Sequence, residues 1–269
     1  MTRYLVSDIE KHFINGEVND IQGFQPIPLN EIEADFSDLS QNGISDFKRS
    51  IVDIIIGSKK HRPVSKPDPI AAVLMNADRD DKAPRMTVEE YERFEATRIA
   101  DKWRGNRIGE LNELICCLQP NIEKSSSGKL DVLVHDDDKN VIAIAEVKNR
   151  FNTMNAASAI RTRKAMESLV LDKGSSYFGC DAILVERIPK KKGEEVEFNP
   201  SDPSRGQKGQ ETGKIKRMGL HQFLSQYGKT QYAYTTAIIL LATTLHEQGI
   251  LPADYDLRFI FNLMSDSLS

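Results

Sequence analysis

KLDVLVHDDDKNVIAIAEVK, residues 129–148, decides the fold. Two runs rich in Val, Ile, Leu and Ala, Lys129–His135 and Val141–Lys148, flank the polar run DDDKN. Branched apolar residues suit a pleated, half-buried surface and a short polar run suits a turn, so the stretch predicts a β-hairpin. Asp131 interrupts the first run. Glu146 and Lys148 end the second, and side chains two apart on a strand share a face. Setting Asp131 opposite Glu146 puts the centre of the turn between Asp138 and Lys139, the middle of the polar run. The register that brings the charges together is therefore the register the turn requires.

Charges that end a buried strand need a partner or a ligand, because an unpaired charge out of water is costly. Carboxylates are hard oxygen donors suited to Mg²⁺, and a lysine beside them can donate to a phosphate or orient an attacking water. Asp131, Glu146 and Lys148 thus read as the catalytic set of a metal-dependent phosphodiester-cutting enzyme. The same residues also read as a salt-bridged Asp–Lys pair across a sheet, with no catalysis. One more acid is expected from the preceding helix, where RIGELNELI offers both Glu110 and Glu113. An Asp-x-Lys triplet at Asp80 and Lys82 lies in a polar stretch and lacks the strand.

Outward from the hairpin the period changes. A short capped helix is expected over Ser7–Asn15, and an amphipathic one over Gly43–Ile56, where Ile44, Phe47, Ile51, Ile54 and Ile55 recur at helical spacing. Ser58–Asp81, rich in Pro, Lys and Asp, reads as loop. Thr87 and Glu90 make a capping box for a helix to Asp101, and a separate helix follows over Asn106–Leu118. Past the hairpin come a helix over Asn155–Leu171, a buried strand over Cys180–Ile188 and a long polar segment, Lys190–Arg217. Helices over Gly219–Tyr227 and Tyr232–Gln248 and a short tail close the chain. This order predicts an α/β fold with a mixed sheet flanked by helices. It divides into a mainly helical N-terminal region, 1–100, and a core with C-terminal helices, 101–269.

Composition narrows the class. The 269-residue chain carries a net charge of −4. Residues 146–164 hold five basic residues against one acid and residues 187–217 nine against five, so each segment is locally positive in an acidic chain. Such a balance fits a basic face toward phosphates, and equally two solvated surfaces. No apolar run has the length of a membrane span and no signal core opens the chain, so a cytoplasmic protein without membrane contact is expected. Cys116, Cys117 and Cys180 form no CxxC pair and read as buried, reduced thiols. His12, His61, His135, His221 and His246 are scattered, against a zinc site. Gly206, Gly209 and Gly213 match no phosphate loop.

The run IAEVKNRFNTMNAASA is more specific than its Glu-x-Lys triplet. It resembles the type II restriction endonucleases of the PD-(D/E)XK superfamily, and within them the family that cuts GGNCC- or GGWCC-like sites. There a strand ending in E-x-K-N is followed by N-T-x-N and a helix start of small residues. Here these are Glu146, Lys148, Asn149, Asn152, Thr153 and Asn155. The resemblance extends upstream to RIGELNEL and downstream to AILVERIPKK, FNPSD and GLHQFL, roughly Asn106 to Leu224. Two positions depart: Leu130 stands where proline often precedes the Asp, and Asn112 where the family often has His.

The resemblance implies roles. Asp131 and Glu146 would ligate Mg²⁺ with the Val147 carbonyl, Lys148 would position water and phosphate, and Glu113 would support the metal–water network. Asn149, Arg150, Asn152, Thr153 and Asn155 would reach DNA, with Asn155 reading equally as a helix cap. In the polar segment Lys214, Lys216 and Arg217 are the expected phosphate contacts. Double-stranded DNA is the implied substrate, a short palindromic site the target and a homodimer the working form. A structure-specific repair or recombination nuclease of the same fold, or a catalytically dead DNA-binding relative, are the alternatives.

Overall fold

A computed structural model of the chain describes residues 4–14, 26–58, 68–77, 86–128, 130–191, 193–202, 207–208 and 211–268. Strand β1 (Tyr4–Leu5) leads into α1 (Val6–Ile9) and a π-helical turn, Glu10–Ile14, where a helix was expected to Asn15, itself outside the described residues. Strand β2 (Ile32–Glu33) runs parallel to β1. Helices α2 (Gln41–Ser58), α3 (Pro69–Ala77) and α4 (Val88–Cys116) follow. Then come β3 (Ile122–Lys124), β4 (Val132–His135), β5 (Val141–Arg150), α5 (Ala156–Val170) and β6 (Asp181–Ile188). Strands β7 (Val196–Glu197), β8 (Ser201–Asp202), β9 (Gln207–Lys208) and β10 (Ile215–Gly219) precede α6 (Leu220–Tyr227), α7 (Ala233–Glu247) and α8 (Arg258–Leu268).

The expected mixed sheet with flanking helices is present. Its order is β3-β4-β5-β6-β10-β7, with β5, β6 and β10 parallel and the outer pairings antiparallel. On one face, Met166, Leu169 and Val170 of α5 pack with Ile144, Ala182, Leu184 and Ile215. Helix α6, with buried Leu220, Phe223 and Leu224, packs against β6 and β10. Arg163, 4 % exposed, ties α5 to the sheet margin: it donates to Glu167 at 3.0 Å, Glu197 at 2.9 Å and the Phe198 carbonyl at 2.6 Å.

Several sequence expectations change. The helices over 87–101 and 106–118 are one helix, α4, because a single glycine, Gly105, in a long helix costs only about 1 kcal/mol. The segment Ser58–Asp81 is not loop throughout. Asp68 caps α3, its Oδ1 accepting the N–H groups of Ile70 at 2.9 Å and Ala71 at 3.2 Å, and Pro69 suits the first helical position. Its flanks, 59–67 and 78–85, lie outside the described residues. Lys190–Arg217 contains β7 and most of β10, and the tail contains α8. Residues 192, 203–206 and 209–210 of that segment lie outside the described ones.

The chain forms two compact units, and they do not divide at residue 100. One comprises 1–51 with 109–269, the other 52–108. The N-terminal residues belong to the larger unit and hold to its C-terminal segment: the Phe13 ring lies 5.5 Å from that of Phe261, and the Ile27 N–H donates to Asp256 at 3.0 Å. Gly43 permits α2 to start against the end of α4, since a Cβ there would sit 2.2 Å from the Cys117 carbonyl oxygen. In the smaller unit, the Asp68 N–H donates to the Tyr91 hydroxyl at 2.8 Å, and a Cβ at Gly57 would sit 2.2 Å from the Trp103 ring. Among the described residues no helix is long and apolar enough to cross a membrane.

Candidate active site

The site is built at the end of the β4–β5 hairpin. Val132 pairs with Ala145, Leu133 with Ile144 and Val134 with Ala143, before the register shifts between Val134 and His135. One step beyond the first of these pairs, Asp131 comes opposite Glu146. The turn closes through the Asp136 N–H, which donates to the Asn140 carbonyl at 2.9 Å, and Lys139 adopts a left-handed φ of 64°. At the other end, Asp131 Oδ2 accepts the Val147 N–H at 2.7 Å. The Lys148 ammonium contacts Glu146 Oε1 and stands 3.9 Å from Asp131 Oδ2. Glu113 comes from the last turn of α4 and pairs with Lys124 at 2.9 Å.

The electrostatics concentrate negative charge. Side-chain exposures of Asp131, Glu146 and Lys148 lie between 18 % and 25 %, so these charges are held largely out of water yet open to a ligand. Burial pushes the Glu146 carboxyl above its usual range; Lys148 opposes this, and the charges of Asp131 and Glu113 add to it. Cys116, fully buried behind the site, feels burial first and then Cys117, Asp131 and Glu113, which hold its thiol well above the usual range. Burial likewise pushes the Cys117 thiol up to about 12. Cys180 is only half-buried, and its Sγ donates to the Val141 carbonyl at 3.0 Å.

These residues fit a small hard cation. Among the described residues no group of three or more His, Cys, Asp or Glu side chains could hold a metal ion. The donor set is instead two carboxylates and a backbone carbonyl, a supply Mg²⁺ commonly completes with water and substrate phosphate. The Val147 N–H points toward Asp131, and the carbonyl of a strand residue leaves the chain on the side of its own N–H. Strand β4 begins only at Val132, so that carbonyl lies past the end of the ladder.

A profile described as Eco47II restriction endonuclease matches residues 36–248. The chain belongs to the Eco47II restriction endonuclease family. No curated protein matches it. Membership makes the protein a type II restriction endonuclease with DNA as its substrate, and the matched span contains every candidate site residue from Glu113 to Arg217.

Within this member of the Eco47II family, the residues expected at DNA fall into three groups. Asn149 and Arg150 end β5, and Asn152, Thr153 and Asn155 follow it directly. Two of them hold the local fold: Thr153 Oγ1 donates to the Arg150 carbonyl at 2.7 Å, closing the turn, and Asn155 Oδ1 caps α5 by accepting the Ser158 N–H at 2.8 Å. Asn149 Oδ1 accepts from Arg187 Nε at 2.9 Å, while Arg150 and Asn152 are exposed. Lys214 pairs with Asp181 at 3.2 Å and Lys216 with Glu195 at 2.8 Å. Arg217 aligns with Leu184, which aligns with Glu146, so Arg217 shares the Glu146 face and Lys216 the opposite one. The structure thus brings together Asp131, Glu146, Lys148 and Glu113 and parts Lys214 and Lys216 from Arg217.

Two residues of this region were not singled out from the sequence. Arg187 sits at the end of β6 and, with Arg150, lines a cavity of about 510 Å³ whose other wall is apolar α7 and α8. Glu186 is a buried carboxylate on β6. In VERI both look like the polar end of a strand, and only the pairing with β5 reveals their place.

Proposed function

We propose that this Eco47II-family protein is a Mg²⁺-dependent restriction endonuclease with a PD-(D/E)XK site, cutting both strands of DNA at a short palindromic GGNCC- or GGWCC-like site. Asp131, Glu146 and Lys148 form its catalytic set, and Asp131, Glu146 and the Val147 carbonyl hold the metal. The observation that carries this reading is the meeting of two carboxylates and an ammonium at the end of one hairpin. Bound Mg²⁺ would polarise the scissile phosphate and acidify a water.

The chain's own residues supply the rest. Asp131 is oriented by the Val147 N–H, which takes one carboxylate oxygen and leaves the other without a hydrogen bond among the described residues. Lys148, between the two carboxylates, donates to a non-bridging phosphate oxygen and holds the attacking water in line. Glu113 keeps Lys124 close by and extends the acidic wall. Arg150 and Asn152 face the DNA, Asn149 with Arg187 beside them, and Thr153 and Asn155 fix the turn that presents them. A homodimer puts one site on each strand of a two-fold target.

Incubation of the purified chain with a sequenced plasmid and Mg²⁺ tests the proposal. Discrete, reproducible bands mapping to one palindromic sequence are expected, with none in EDTA. Smearing without preferred ends would remove the site-specific reading, and intact plasmid the nuclease reading.

A further inference from the structure

Glu186 is 3 % exposed, and among the described residues its carboxylate has neither a hydrogen-bond nor an ion-pair partner. Register places it on the catalytic face. Lys148 aligns with Glu186 and Glu186 with Gly219; one row back, Glu146 aligns with Leu184 and Leu184 with Arg217. Residues two apart on a strand share a face, so Glu146, Lys148, Glu186 and Arg217 lie on one side of the sheet. Adjacent strands are about 4.8 Å apart, which puts the Glu186 backbone one strand from Lys148 and that of Arg217 about 10 Å from Glu146. Gly219 adds no side chain to the row of Glu186.

A buried carboxylate without a partner is costly, and an apolar residue such as neighbouring Leu184 would fill the space at no such cost. Burial raises the Glu186 carboxyl above its usual range, and the charge that opposes this is Arg217. Arg217 in turn is the one of the three expected phosphate contacts without an ion pair among the described residues; Lys214 and Lys216 are neutralised by Asp181 and Glu195. An acid and a guanidinium near each other but not bonded leave the planar fork of Arg217 able to take a second acceptor.

We propose that Arg217 grips a backbone phosphate of the DNA strand being cut, and that Glu186 is a positioning residue keeping its guanidinium on the catalytic face. This rests on the nuclease reading above. The phosphate is a neighbour of the scissile one, because Arg217 stands two strands from Glu146. Glu186 acts from behind, orienting the fork and matching its charge while no DNA is bound.

The test measures binding of a fluorescein-labelled duplex carrying a GGNCC site, with Ca²⁺ in place of Mg²⁺, across a salt series. It uses wild type, Arg217→Ala, Arg217→Lys, Glu186→Gln, Glu186→Asp and the Arg217→Ala/Glu186→Gln double variant, with plasmid cleavage kinetics alongside. Arg217→Ala is expected to flatten the slope of log affinity against log salt by about one unit, the release expected for one lost phosphate contact, and Arg217→Lys to keep it. Glu186→Gln is expected to weaken binding and raise KM several-fold with kcat retained, Glu186→Asp to restore both, and Glu186→Gln to have no effect once Arg217 is Ala. An unchanged slope in Arg217→Ala, or additive effects of the two substitutions, overturns the inference. A purely structural Glu186 would lower the melting temperature while binding effects stay additive. Wild type that neither binds nor cuts ends the nuclease reading itself; wild type that does both, with an unchanged Arg217→Ala slope, ends only this inference.

Discussion

The carboxylate of Asp131 is fastened to the backbone N–H of Val147 at 2.7 Å, the residue between Glu146 and Lys148. The acid just before β4 is thereby locked to the centre of the Glu-x-Lys triplet on β5. A charge-assisted bond of this kind is roughly twice as strong as a neutral one, so the two halves of the site are held in register by the site itself.

Lys148→Ala and Glu146→Ala are expected to abolish plasmid cleavage and leave far-ultraviolet circular dichroism unchanged. Both side chains are partly exposed beyond the last pair of the β4–β5 ladder, so their loss opens no core cavity. Cleavage at near wild-type rate by either variant would place the chemistry elsewhere.

Millimolar Mg²⁺ or Ca²⁺ should raise the melting temperature of the wild type in the absence of DNA, because the cation binds the folded acids and not the unfolded chain. The shift should vanish in Glu146→Gln. An equal shift in that variant would mean the stabilising cation binds at other residues.

Glu186 sets a pH signature. Burial raises its carboxyl above the usual glutamate range, so the protonated form is favoured by the fold. The resulting stability is present below the unfolded value and is lost as pH rises through the folded one. Glu186→Gln escapes that loss. The melting temperature of the variant minus that of the wild type should therefore be more positive at neutral pH than near pH 4, about the unperturbed glutamate range. A difference that stays constant with pH would show that Glu186 does not titrate with folding.

Arg163→Ala should destabilise by about 3–5 kcal/mol, the usual cost of removing one member of a buried ion pair. It would take from Glu197 the guanidinium that Arg163 holds at 2.9 Å, leaving it the N–H and hydroxyl of Thr212, and take from the Phe198 carbonyl its donor. Urea denaturation measures this; a loss below about 1 kcal/mol would rank Arg163 with surface pairs.

Asn155→Ala separates two roles. If Asn155 is only the cap of α5, stability falls by about 1 kcal/mol and cleavage by folded protein is unchanged. Asn155→Ser, which keeps the cap, should then be silent in both measurements. A cleavage defect in Asn155→Ser with unaltered stability would assign the carboxamide to DNA.

The hairpin and its acids were legible because they are written in short-range pattern. Alternation with period two, a polar turn of fixed length and a single interrupting aspartate determined that Asp131 would oppose Glu146 and that Lys148 would join them. The resemblance around Glu146–Asn155 pointed to a restriction endonuclease family, which the match over residues 36–248 bears out. What the sequence left open was decided by parallel pairing between distant segments. Residues 215–219, IKRMG, look like part of a charged loop until they lie beside β6, where Ile215 and Met218 are buried on opposite faces. That pairing sends Arg217 to the face of Glu146 and Lys216 to the other, and sets Glu186 beside Lys148. Local periodicity assigns side chains to one of two faces of a strand, but which face meets the site depends on the neighbouring strand, and only the tertiary structure supplies it.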